Sequence, residues 1–300
     1  ALESAVLKAI AKEQKKEVWQ LINSKAKRLP RLVGNCIGGG KHSFVRSSAY
    51  PKLRNAGAKK PDFQEFLLIP NSKSVKESFE INKKAKEEVF RTLKDVDGKF
   101  SGKKNDENAW MTSLNEKEVL EVLKKVNIPI GVDVAASSFY KRRRYHYQNP
   151  ILDREIEEQV LYLANLIKNF SIFYIEDCFE EEDFERFALL LKKFPNSLIV
   201  GDDLTATDHT RLLKAIRMKS INAIIVKPNQ TGSLLNVKQV CETARENNIK
   251  IVFSHRSGET EENILADLAF GFQADFFKCG IDGKEREAKL KRLIEIEKSF

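Results

Sequence analysis

Asp133, Glu176, Asp202, Lys227, His255 and Lys278 each stand inside or just after a short apolar run. From Glu176 onward, successive members lie 26, 25, 28 and 23 residues apart. Each interval is about one strand, one helix and two loops. Equivalent positions on successive strands of an α/β barrel converge at the carboxyl-terminal mouth, where barrel active sites lie. Three carboxylates gathered in such a mouth cannot all stay ionised without a cation. Oxygen donors with no cysteine nearby suit a hard ion, and Mg²⁺ is the expected one for Asp133, Glu176 and Asp202. A lysine beside a divalent cation and other cations has its ammonium form disfavoured. Lys227 and Lys278 are therefore candidate bases. The competing reading is a structural ion pair with Glu176 or Asp202.

Other stretches carry weaker signals. "IVGDDLTATD" (199–208) ends an apolar run on two adjacent acids. Strand alternation predicts that Asp202 points inward and Asp203 the other way, bracing the loop. "FSHRSGET" (253–260) sets Arg256 and Ser257 at a loop-to-helix start, which suits a phosphate or carboxylate. "GNCIGGGKH" (34–42) resembles a phosphate-binding loop but fails its pattern. Asn35 takes the first glycine position, and His42 follows the lysine where Ser or Thr is needed. It reads instead as a flexible glycine loop near the barrel mouth.

Eight apolar runs must position these groups: 32–37, 63–69, 128–135, 172–177, 198–203, 223–227, 250–255 and 275–280. Nearly continuous hydrophobicity suits strands buried on both faces of a parallel sheet. Amphipathic stretches such as "EIEEQVLYLANLIKNF" separate most of them. Alternation of this kind predicts the α/β class and a (β/α)₈ TIM-type barrel. The gap between the second and third runs has room for two helices, so the barrel need not be regular. At the start, Ala5, Val6, Ala9, Ile10, Trp19 and Ile22 share a helical periodicity.

The chain has 300 residues, of which 42% are hydrophobic, and a net charge of +9. That allows one large domain with a sizeable core. No run approaches the ~18 apolar residues of a membrane span, and the charged first residues exclude a signal peptide. Cys36, Cys178, Cys241 and Cys279 show no paired spacing, which points to a reducing, cytoplasmic setting. Most lysines are mixed with acids in helical stretches, so a solvated surface accounts for the charge better than nucleic acid does. The densest basic run, "YKRRRYHY" (140–147), interleaves aromatics as single-strand binders do, but reads more simply as a surface loop.

"GVDVAASSFY", "YIEDCFEEEDF", "VGDDLTATD", "IIVKPNQTGSL", "SHRSGETEENILADLAFG" and "FFKCGI" resemble successive signature segments of the enolases. "NCIGGGKH" and "FQEFLLIP" resemble that family's first two barrel segments. The resemblance covers roughly residues 29–300. It implies the enolase-superfamily barrel over that range, with residues 1–28 a helical remnant of the family's amino-terminal domain. It also implies a carbon–oxygen lyase of glycolysis and gluconeogenesis that reversibly dehydrates 2-phosphoglycerate to phosphoenolpyruvate. On matching positions, Asp133, Glu176 and Asp202 would hold Mg²⁺. Lys227 would remove the proton next to the carboxylate, and Glu107 in "NDENAW" would help the hydroxyl leave. Arg256 and Ser257 would bind phosphate, Lys278 the carboxylate, and His42, Glu65 and His255 would line the pocket. The resemblance further implies a homodimer.

Two departures stand out. The family's glycine-rich segment after the acid is Asn108–Ala109 here, and the stretch from 43 to 63 is longer than usual. Most of the amino-terminal domain, whose mobile serine loop ligates a second Mg²⁺ in the family, lies outside the sequence. The chain therefore reads as part of a longer protein. Two other functions compete: a superfamily lyase or isomerase acting on another α-proton carboxylate, and a truncated, non-catalytic paralogue that binds a partner.

Overall fold

The computed structural model describes residues 1–42 and 59–299, the side chain of His42 excepted. All eight apolar runs are strands: β1 (Arg31–Gly38), β2 (Glu65–Leu68), β3 (Ile130–Asp133), β4 (Tyr174–Glu176), β5 (Leu198–Gly201), β6 (Ala223–Val226), β7 (Lys250–Ser254) and β8 (Phe276–Gly280). They pair in sequence order, and β8 pairs back onto β1 from Arg31↔Phe276 to Asn35↔Gly280, which closes the barrel. Closure leaves no barrel strand with an unpaired edge.

The expected uniform parallel sheet is corrected at one strand. β2 runs antiparallel to both β1 and β3, whereas β3 through β8 and β1 are parallel to their remaining neighbours. Antiparallel neighbours need no crossover helix. Among the described residues, the β1–β2 connection holds only the short turn Gly40–His42. The consequence is functional. The first residue of β2, Glu65, lies level with Asp133, the last residue of β3, and Asp133 pairs in turn with Glu176, the last of β4.

The gap between β2 and β3 holds two helices, Val75–Val96 and Glu116–Lys124, as its length suggests. Single helices follow β4, β5, β7 and β8; β3 is followed by a small sheet and then Ile156–Phe170, and β6 by the short Pro228–Thr231 and then Leu234–Glu246. Side-chain alternation divides the strands into two layers. Val33, Leu67, Tyr174, Val200, Ala223, Ile225, Val252 and Phe276 fill the barrel interior. Their neighbours Leu32, Leu68, Ile175, Ile199, Ile224, Phe253 and Phe277 pack outward under the helices.

Residues 1–28 contain the helices Leu2–Glu13 and Val18–Ile22. The second is anchored by Trp19, edge-on to Phe270 with ring centroids 5.0 Å apart. The apolar face expected on the first is not buried: Ala5, Val6 and Ala9 are exposed, and Ala11 is the one buried residue of that helix. The stretch 34–38 is no flexible loop either. It lies in β1, and a Cβ on Gly39 would come within 2.3 Å of the Phe63 carbonyl, so the backbones touch there. The basic run forms a small antiparallel sheet of Tyr140–Lys141, Arg144–Gln148 and Ile151–Arg154. Its aromatics turn inward: Tyr145 and Tyr147 are buried, packing edge-on or tilted against Phe139. The Arg154 guanidinium covers the Tyr147 and Tyr162 rings at 4.0 and 3.7 Å. Rings held this way do not form a stacking platform for bases. Among the described residues no helix is long and apolar enough to cross a membrane.

Candidate active site

The alternation that fills the barrel with apolar side chains also aims the polar ones. Asn35 is two residues beyond Val33, Glu176 two beyond Tyr174, Asp202 two beyond Val200, Lys227 two beyond Ile225 and Lys278 two beyond Phe276. Each therefore continues the interior face of its strand toward the mouth. The mouth is a cavity of ≈ 340 Å³. Of the residues singled out in the sequence, Glu65, Glu107, Asp133, Asp202, Lys227, His255, Arg256, Ser257 and Lys278 line it, while Glu176 is fully buried against Lys278 and Tyr174 and is not part of the lining. The structure brings all these together. The side chain of His42, the remaining pocket candidate, lies outside the described residues.

Lys278 is the electrostatic centre. Its buried Nζ lies 2.7 Å from Glu176 Oε1, 3.0 Å from Asp133 Oδ2 and 3.2 Å from Glu65 Oε2. Burial alone disfavours the ammonium, but these three carboxylates outweigh it and hold Lys278 protonated, its pKa well above the ordinary range. Glu176 also accepts a 2.6 Å hydrogen bond from the Tyr174 hydroxyl. Lys227 Nζ donates to Asp202 Oδ2. There too burial opposes the charge, and Asp202 more than restores it. The ion-pair reading of Lys227 therefore describes this structure as it stands.

Asp177 escaped the sequence reading. It is buried in a left-handed backbone conformation (φ 44°) just past β4. Its two oxygens accept the backbone N–H groups of Asp202 (2.9 Å) and Asp203 (2.7 Å). One carboxylate thus fixes the turn that presents both neighbouring acids. Asp203 does not point away. The chain bends at Asp202 and turns from Asp203 onward, so alternation reaches Asp202 and no further, and Asp177, Asp202 and Asp203 offer oxygens within 4.8 Å of one another. Burial, and then Asp202, push the Asp203 carboxyl up to about 6.

On the other side, Glu107 is buried with its Oε2 accepting a 2.8 Å hydrogen bond from the Asn35 amide. His255 Nε2 lies 3.7 Å from the same oxygen. Burial drives the His255 pKa to about 3, against the pull of Glu107, so the imidazole is neutral. Burial first, then Glu107, raises Glu65 well above the carboxylate range. Arg256 is exposed at the rim. The loop carrying Arg256 and Ser257 is tied down by the buried Arg286, whose Nη2 donates to their carbonyls at 3.2 and 2.9 Å.

A divalent cation fits this donor set. Burial raises Glu65, Glu176 and Asp177 well above ordinary carboxyl values, and neighbouring acids raise them further. Three lysines and one arginine face seven acids in the lining of the cavity. Asp202 Oδ1 is buried and lacks any hydrogen-bond partner among the described residues. An unpartnered, ionised, inward-facing oxygen is a position that a cation fills.

Fold and site together define a closed α/β barrel whose carboxyl-terminal mouth gathers lysines, a histidine and a cluster of carboxylate oxygens able to hold a cation. Residues 53–300 match the enolase carboxy-terminal TIM barrel domain. The chain is 40% identical over 282 residues to the enolase of Pyrobaculum aerophilum, which covers 90% of this chain and 64% of that protein. It is 35% identical to the enolases of Methanosphaera stadtmanae and Thermoplasma acidophilum, over 100% and 99% of this chain and 73% of each of theirs. The chain belongs to the enolase family.

Proposed function

We propose that this chain is the barrel of a Mg²⁺-dependent enolase that reversibly dehydrates 2-phosphoglycerate to phosphoenolpyruvate. The observation that carries the reading is one cavity lined by a lysine–aspartate pair, Lys227–Asp202, and by a buried carboxyl, Glu107, with its own amide donor. Elimination of water needs both a proton acceptor at C2 and a proton donor at the leaving oxygen. In this reading Lys227 Nζ, as the neutral amine, takes the C2 proton first, and the electron pair rests on the adjoining carboxylate until the C2–C3 double bond forms with loss of the hydroxyl. Glu107 gives a proton to the C3 hydroxyl, which departs as water. Arg256 and Ser257 hold the phosphate, and the Lys278 ammonium attracts the substrate carboxylate. Asp133, Glu176 and Asp202 would hold Mg²⁺, which supplies positive charge against the second negative charge that develops next to the carboxylate. Family membership supports the assignment. With it we propose residues 1–28 as the end of the family's amino-terminal domain, residues 29–300 as the barrel, a homodimer, and a cytoplasmic setting.

The test uses the product of the whole reading frame, since this chain spans 64–73% of the relatives above. Lys227→Ala should abolish exchange of the C2 proton of 2-phosphoglycerate with deuterated solvent. Glu107→Gln should slow dehydration yet leave exchange measurable, because it acts on the leaving hydroxyl. Each loss should be ~10²–10⁴-fold. Wild-type exchange in Lys227→Ala would overturn the assignment of the base.

A further inference from the structure

Glu107 stands on a five-residue turn, 105–109, that lies outside the barrel strands. Asn105 Oδ1 accepts the N–H groups of Glu107 (3.0 Å) and Ala109 (2.9 Å), and Asn108 takes a left-handed conformation at φ 61°. Three glycines clear room for this turn. A Cβ on Gly38 would come within 2.1 Å of the Asn105 amide, one on Gly280 within 2.6 Å of the Glu107 carbonyl, and one on Gly283 within 2.0 Å of the Asn108 amide. Close packing excludes alternatives but does not choose the height of the turn over the cavity. A directional contact is needed for that, and one is present.

Lys86 lies in the middle of the helix Val75–Val96 and is only 3% exposed. Its Nζ donates to the Asn108 carbonyl and, at 2.9 Å, to Asp282 Oδ1. Asp282 follows β8, and its other oxygen accepts from Lys104 at 2.8 Å. The Lys86 carbonyl accepts the indole N–H of Trp110 at 3.1 Å. The helix therefore grips the turn at two points, on either side of Ala109. A buried ammonium is costly unless its hydrogen bonds are met. This one is met by a carboxylate on the barrel and a backbone carbonyl adjoining Glu107, which makes a charge-assisted clamp between them. Asn108 is a non-glycine residue held at φ 61°, a conformation that its surroundings must stabilise.

We infer that Lys86, braced by Asp282, is a positioning residue that fixes the Glu107 carboxyl over the cavity. It touches neither substrate nor reacting atoms, and it acts through the Asn108 carbonyl. The inference rests on the role proposed for Glu107, and its test separates the two. In the whole-gene product, Lys86→Met keeps the apolar stem and removes the clamp. Dehydration should fall by about 10- to 100-fold, the cost of misplacing a group by about 1 Å. C2 exchange should stay within about 2-fold of the parent, because Lys227 is untouched, and KM should change little against kcat. Asp282→Asn, which keeps the side-chain shape, should reproduce the split more weakly and serves if Lys86→Met folds poorly. A general structural role would lower exchange and dehydration together, and that result, or unchanged dehydration, overturns the inference. If the parent neither exchanges nor dehydrates, the enolase reading falls. The clamp is then judged by hydrogen exchange at the Glu107 and Ala109 amides, where protection in Lys86→Met equal to the parent's overturns it.

Discussion

Lys278→Met should destabilise this protein far more than removal of a surface lysine, and Mg²⁺ should reverse part of the loss. The Lys278 ammonium is within 3.2 Å of carboxylate oxygens from Glu65, Asp133 and Glu176, all buried. Removing one partner of a buried ion pair costs about 3–5 kcal/mol, because charge is left uncompensated. Unfolding entropy of about 2.1 cal/mol/K per residue gives roughly 0.6 kcal/mol/K for a chain of this length. The melting temperature should therefore fall by about 5–8 °C in chelator. Lys8→Met provides the scale. Its pair with Glu262 is just as short, 2.6 Å, but both side chains are more than 40% exposed. Such pairs contribute about 0–1 kcal/mol, so the shift should stay under about 2 °C. In saturating Mg²⁺ the Lys278→Met deficit should shrink, because a divalent cation compensates the same oxygens. Thermal melts by circular dichroism, with chelator and with Mg²⁺, measure all three effects. If Lys278→Met melts within 1 °C of the parent in chelator, the ammonium is not what balances these carboxylates, and the electrostatic account of the mouth is wrong.

Mg²⁺ at about 100 times its dissociation constant should stabilise the parent by ~2.7 kcal/mol, or about 4 °C. Asp202→Asn should lose most of that shift and Asp203→Asn less; identical parent curves with and without Mg²⁺ would refute the site. Burial raises the Glu116 carboxyl to about 7. A folded-state pKa above the unfolded value means stability that is full below about 4.5 and is lost as pH rises through about 7, roughly 3 kcal/mol in all. Glu116→Gln keeps an acceptor for the Asp62 N–H, which bonds Oε1 at 2.6 Å, so it should flatten this slope and melt above the parent at pH 8; an unchanged slope would exclude Glu116 as its source. Gly280→Ala sets a Cβ 2.6 Å from the Glu107 carbonyl and 2.8 Å from Arg286. It should cost about 1–3 kcal/mol and slow dehydration, and a variant with the parent's melting point and rate would show that the turn can retreat freely.

Most of the barrel was legible because one signal, apolar runs with polar residues at the ends, reports both strands and mouth. Glu176, Asp202, Lys227 and Lys278 follow from alternation, since each stands two positions beyond an apolar interior residue, whereas His255 stands two beyond the outward Phe253 and was found by spacing alone. The antiparallel course of β2 was not legible: an apolar run has no direction, and only Glu65 lying level with Asp133 reveals it. The Asp203 expectation failed for a related reason. Alternation is a property of extended backbone, and the chain turns from Asp203 onward. The first helix shows the opposite limit. Its periodicity is real, yet Val6 is 48% exposed, because periodicity says which residues share a face and not whether anything covers it.

The groups that sequence missed are of one kind. Asp177, Asn35, Arg286 and Lys86 act on the backbone or on another side chain. Their partners are Asp202–Asp203, Glu107, Arg256–Ser257 and Asn108 respectively. Residues that face a ligand recur at the strand period, so pattern finds them. Residues that hold those in position answer to distance in space, and Lys86 is 22 positions from the carbonyl it grips and 196 from the carboxylate that braces it. An isolated polar residue within an apolar stretch is the one local trace such groups leave. Asn35 in "LVGNCI" left it, whereas Asp177 was hidden beside Glu176. A buried polar side chain with nothing to bind is costly, so each such residue implies a partner, and here each partner belongs to the mouth.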